Sequence, residues 1–96
     1  MELFTFIFEF LGGTYIYQSE ASDMNEALHK WVENLTNDLH EIKYLGPKTI
    51  QEIQEILFND STEDPTPISN IKNVWCVTLY TKKGAGLLNI IKTEAS

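Results

Sequence analysis

The chain contains no arginine: its only fixed cations are seven lysines, set against 14 aspartates and glutamates for a net charge of −7. Bidentate contacts to phosphate, carboxylate and guanine depend heavily on the guanidinium fork, so direct nucleic-acid binding is not expected. The negative charge equally disfavours an anionic membrane surface. A single cysteine, Cys76, excludes an intrachain disulfide, and its place inside a predicted strand reads as a small core hydrophobe. A reducing compartment, and hence a cytoplasmic location, is the expectation. No run approaches the roughly 18 apolar residues of a membrane span. The apolar first eleven residues alternate, include Glu2 and Glu9, and lack a basic start and a small-residue cleavage site, so they do not read as a signal peptide. The sequons at Asn34 and Asn59 then read as chance matches.

What is present is apolar and aromatic. Ninety-six residues that are 43% hydrophobic and 11% aromatic support one α+β domain over 1–96 with its own core, and a flexible segment is expected only at 59–70 and the last few residues. Phe4, Phe6, Phe8 and Phe10 recur at period two, Gly12 and Gly13 intervene, and Tyr15 and Tyr17 resume the alternation, which is a β-hairpin signature. With Gly12 and Gly13 as the centre of a primed turn, Phe10 faces Tyr15, Phe8 faces Tyr17 and Phe6 faces Ser19. One face becomes almost wholly aromatic. The other carries Thr5, Ile7, Glu9, Ile16, Gln18 and Glu20.

Asp23 and Glu26 form a D-x-x-E capping box ahead of an apolar stripe through Met24, Ala27, Leu28, Trp31, Val32, Leu35 and Leu39, predicting a helix from about Asp23 to His40. Gly46 suits a helix C-terminus and Pro47 the first turn of the next element. Ile50, Ile53, Ile56 and Leu57 predict a second helix from about Lys48 to Phe58, with Thr49 and Glu52 as an alternative capping box. Residues 59–70 hold turn formers, acids and two prolines without periodicity and read as a long loop. Val74 to Thr81 and Leu87 to Thr93 read as strands flanking a Lys82-Lys83-Gly84-Ala85-Gly86 turn. The order ββααββ predicts a two-layer α+β fold: a four-stranded, mainly antiparallel sheet with two helices on one face.

Chemistry-bearing motifs are scarce. His29 and His40 lie roughly 16 Å apart along one helix, too far for a shared metal, and each reads as a solvent-facing helix residue. Cys76 has no neighbouring base in sequence to activate it. No serine sits in a G-x-S-x-G context, and Gly84-Ala85-Gly86 is too short to cradle phosphate. The carboxylate pairs Glu52 with Glu55 and Glu63 with Asp64 lie in hydrophilic segments where solvated, ionised acids are the rule. No catalytic residue, metal or cofactor is expected.

Surfaces for recognition remain. Glu52, Glu55, Asp60, Glu63 and Asp64 concentrate acids between the second helix and the long loop, opposite Lys72, Lys82 and Lys83 near the far strands, and this polarity suits a basic protein partner. Simple solvation of a helix face and loop explains the same acids. Tyr15, Tyr17, Trp31 and Trp75 are candidates for an aromatic pocket between helices and sheet, with core packing as the alternative. A homodimer through the helix-free sheet face or an edge strand is a further expectation.

The segment from Leu3 to Leu39, with Phe-x-Phe, Gly12-Gly13-Thr14-Tyr15 and Ala21-Ser22-Asp23-Met24-Asn25-Glu26-Ala27-Leu28, resembles the start of HicB-like antitoxin domains. The resemblance spans residues 3–39. It implies a small αβ module that binds and neutralises a protein partner. That family's Pro-Gly-containing third strand and an appended basic DNA-binding segment have no counterpart here, so operator binding is not implied. Small acidic immunity proteins fit the same description by analogy. The expectation is a non-enzymatic, acidic protein-binding module of antitoxin or immunity type. A small-molecule sensor or small enzyme using the aromatic pocket, and a structural homodimer, are the alternatives.

Overall fold

The computed structural model describes residues 1–37, 45–59 and 65–93. Strand β1 (Glu2–Phe10) and strand β2 (Gly13–Ala21) form the expected hairpin, followed by helix α1 (Met24–Asn37) and helix α2 (Pro47–Gln54), which continues into a single wider π-helical turn over Glu55–Asn59. Strands β3 (Thr66–Pro67), β4 (Val74–Thr81) and β5 (Gly84–Thr93) complete the chain. The fold is α+β. The predicted four-stranded ββααββ arrangement is corrected: the sheet has five strands in the order β2-β1-β5-β4-β3, all paired antiparallel. The extra strand lies inside the segment read as a loop, where Thr66 pairs with Cys76 and Pro67 with Trp75. Proline lacks the N–H a ladder needs, so it is tolerated at a sheet edge, which is where β3 lies. Residues 60–64 of that loop lie outside the described residues, as does the predicted last turn of α1 to His40.

The hairpin register also differs from the prediction. Leu11 and Gly12 are the central turn residues, both at positive φ (45° and 85°), so Phe10 pairs with Gly13, Phe8 with Tyr15 and Phe6 with Tyr17. Two positive φ values define the primed turn whose twist matches the strands. Gly13 is instead the first residue of β2, where a Cβ would run into the Tyr15 ring, at 2.7 Å from Cζ. The slip is of two residues, so every side chain keeps its predicted face. Phe4, Phe6, Phe8 and Phe10 are all buried, as are Val77, Leu79, Leu88 and Ile90 from the neighbouring strands.

Both helices cover this one face. Helix α1 buries Ala27, Leu28, Trp31, Val32 and Leu35. The Trp31 indole stacks on Phe6 with centroids 5.7 Å apart and 7° between planes, and meets Phe8 edge-on at 5.2 Å. The start of α1 keeps the predicted cap with one change. Asp23 Oδ1 accepts from the Glu26 N–H at 2.8 Å, but the Glu26 carboxylate reaches back to the N–H and hydroxyl of Ser22 rather than to Asp23. Gly46, expected as a helix C-terminus, is the N-cap of α2 with Pro47 as its first residue, a position where the missing N–H is no loss. Thr49, proposed as a capping hydroxyl, is buried with Ile50 and Ile53 on the core side of α2. At the far hairpin only Lys82 and Lys83 turn the chain, since Gly84 already pairs with Thr81 and β5 begins three residues earlier than predicted.

Candidate acidic docking cleft

Helix α2 points Ile50 and Ile53 into the core, which leaves Glu52 and Glu55, three residues apart, adjacent on its outer side. Glu55 is exposed and Glu52 half-buried. A Glu52 carboxylate oxygen accepts the backbone N–H of Lys82 at 2.8 Å, tying the helix to the β4–β5 turn. Between them lies a cleft of about 370 Å³ lined by Glu52, Glu55, Ile56, Tyr80, Thr81 and Lys82. Tyr80 is 68% exposed. An exposed tyrosine and a half-buried isoleucine thus line the same cleft as two carboxylates and Lys82. Asp60, Glu63 and Asp64, the other predicted members of the acidic group, lie outside the described residues.

Alternation along β4 fixes the side of the sheet that Tyr80 takes, though not its place in a cleft with α2. Val77 and Leu79 of β4 face the core, so alternation turns Cys76, Thr78 and Tyr80 to the helix-free side. The same alternation corrects the reading of Cys76 as a core residue: it is half-buried on the helix-free face, between Asn89 of β5 and Thr66 of β3. Ile56, assigned in sequence to the buried stripe of α2, is only half-buried.

Of the predicted aromatic pocket, Trp31 is 2% exposed and packed between Phe6 and Phe8, while Tyr15, Tyr17 and Trp75 pack half-buried against the core. Tyr17 tilts against Phe6 at 6.2 Å. None of the four lines the cleft above or the two others described next. One of these, about 410 Å³, lies where the hairpin tips meet the sheet, with Glu9, Leu11, Thr14, Thr78 and Leu87 on its walls. The other, about 480 Å³, lies beside α1 and α2 and holds His29, Glu33, Thr36, Gln54 and Phe58. His29 is exposed, as expected, yet it is not free: its Nδ1 sits 2.8 Å from the Asn25 carbonyl and its ring stacks on Phe58 at 4.0 Å.

Among the described residues no three histidine, cysteine, aspartate or glutamate side chains gather as metal ligands, and no helix is long and apolar enough to cross a membrane. Glu26 is the one described group whose titration is clearly displaced. The Ser22 hydroxyl, then the Ser22 N–H and the Lys30 ammonium, hold its carboxyl below the usual carboxylate range. That displacement belongs to the α1 cap rather than to the cleft. No protein-family model matches the chain, and neither a curated protein nor a solved structure is significantly similar to it.

Proposed function

We propose that this protein is a non-enzymatic, cytoplasmic protein-binding module of antitoxin or immunity type, which uses its acidic surface to occlude a basic partner. The observation that carries the reading is the cleft in which Glu52 and Glu55 border Ile56 and Tyr80. A net charge of −7 without arginine supplies the long-range attraction for a basic protein, raising the association rate, while the exposed tyrosine and half-buried isoleucine supply apolar area that can be desolvated on contact. The resemblance of residues 3–39 to HicB-like antitoxin domains leads to the same class of partner.

The test is affinity capture from the native host with identification of the retained protein. A specific basic protein should be held at low salt, released at high salt, and lost on Glu55→Lys combined with Tyr80→Ala. Glu52 is left intact because it ties α2 to the β4–β5 turn. Capture that is indifferent to both the double substitution and salt would overturn the proposal.

A further inference from the structure

The two edges of the sheet are treated in opposite ways. Edge strand β3 is two residues long and one of them is Pro67, a blunt edge that offers little to an incoming strand. Edge strand β2 is nine residues long, pairs with β1 in unbroken register without a bulge, and carries no charged residue from Gly13 to Ser19. Lysine, proline, bulges and shortness are the ordinary protections of an edge, and β2 has none of them over that stretch.

The two-residue turn determines which backbone groups of β2 remain open. Because the turn closes on the Phe10–Gly13 pair, the residues hydrogen-bonded to β1 are Gly13, Tyr15, Tyr17 and Ser19, and the N–H and C=O groups of Thr14, Ile16, Gln18 and Glu20 point outward. The Glu20 carbonyl is then taken by the Lys30 ammonium at 2.6 Å. The open stretch runs from Thr14 to Gln18, and its middle residue is Ile16, 68% exposed.

We propose that β2 is a homodimerisation edge: a second copy of this chain pairs with it antiparallel across a twofold axis at Ile16, joining two sheets into one. The centre of the open stretch and the centre of a self-complementary register coincide. With Ile16 opposite Ile16 of the second copy, Thr14 meets Gln18 on the helix-free face and Tyr15 meets Tyr17 on the core face, giving about six new backbone hydrogen bonds. Each pairing joins like with like, as an isologous contact requires. The arrangement also handles the charge of two acidic chains. Glu20, the only carboxylate of β2, falls opposite Gly12 of the second copy rather than opposite another carboxylate. An unrelated extended peptide gains the same backbone bonds but not these side-chain matches. The edge is separate from the Glu55 cleft, so either proposal can fail without the other.

Sedimentation equilibrium over low micromolar to millimolar concentrations tests this directly. The wild-type chain should reach the mass of two chains. Ile16→Lys places two ammonium groups face to face and should weaken the dimer by about tenfold or more. Ile16→Pro removes an outward N–H that the monomer does not use, so it should abolish pairing while the far-ultraviolet circular dichroism persists. On a Cys76→Ser background, Ile16→Cys should form an intermolecular disulfide under mild oxidation, which reports the register as well as the surface. A chain that stays monomeric throughout the range, a dimer unaffected by both Ile16→Lys and Ile16→Pro, or a monomer that accepts only extended peptides on β2 would each overturn the proposal.

Discussion

The ring of Phe8 lies over Gly86 so closely that a Cβ on that glycine would stand 2.6 Å from Phe8 Cε1. Gly86 is paired with Phe10 of β1 and with Leu79 of β4, at the centre of the sheet where no backbone can retreat. The glycine is therefore there for space. Gly86→Ala should destabilise the fold by about 1–3 kcal/mol, the range for overpacking a filled core. Chemical denaturation of Gly86→Ala, Phe8→Leu and the double variant checks the cause. The double variant should lose less than the sum of the singles, because the smaller Leu side chain gives the new methyl room. Simple additivity would place the strain elsewhere.

Trp31 holds the helix layer to the sheet through its stack on Phe6 and its edge contact with Phe8. Trp31→Ala should cost roughly 3–5 kcal/mol, and Phe6→Ala a similar amount. A domain of this size has about 5–15 kcal/mol in total, so either variant should melt far below wild type and be partly unfolded near physiological temperature. Thermal denaturation followed by near-ultraviolet circular dichroism reads both losses.

These two pairs show which part of the fold was legible from sequence. The aromatic face was, because a period-two pattern specifies a face and a slip of two residues leaves it unchanged. The cross-strand partners were not, because choosing between Gly12-Gly13 and Leu11-Gly12 as turn centre depends on Leu11 accepting a positive φ, which its side chain disfavours. β3 was illegible for a different reason: two residues, one of them proline, carry no period, and only the presence of Trp75 and Cys76 beside them makes a strand. In the cleft, Glu52 and Glu55 were readable as an acidic helix face, whereas Tyr80 and Ile56 join them only through the packing of α2 against the end of β4.

Leu11 supplies a stability prediction with the opposite sign. It sits at φ 45°, where a branched-chain residue is disfavoured and asparagine is accepted readily, directly before Gly12 in a primed turn that favours Asn-Gly. Leu11→Asn should raise stability by about 0.5–1 kcal/mol, reduced by whatever the Leu11 side chain gains from lying over Gly84. The denaturation midpoint should rise at unchanged slope. A fall would mean that the contact between the two hairpin tips outweighs the backbone strain.

The α1 cap makes stability depend on pH in a defined direction. Ser22 and Lys30 favour the ionised form of Glu26, so its carboxyl titrates below the usual range in the folded chain. A depressed carboxylate adds stability that is complete above its unfolded value and disappears as pH falls through the folded one. In Glu26→Gln that contribution is absent at every pH. The stability gap between wild type and Glu26→Gln should thus be flat from neutral pH upward and close on acidification through the carboxylate range and below it. Asp23→Ala, which removes the oxygen accepting the Glu26 N–H, should cost about 0.5–2 kcal/mol at neutral pH. Urea denaturation at a series of pH values measures both. A gap that widens toward acid would mean that Glu26 is stabilised in its protonated form, contrary to the hydrogen bonds it accepts from Ser22.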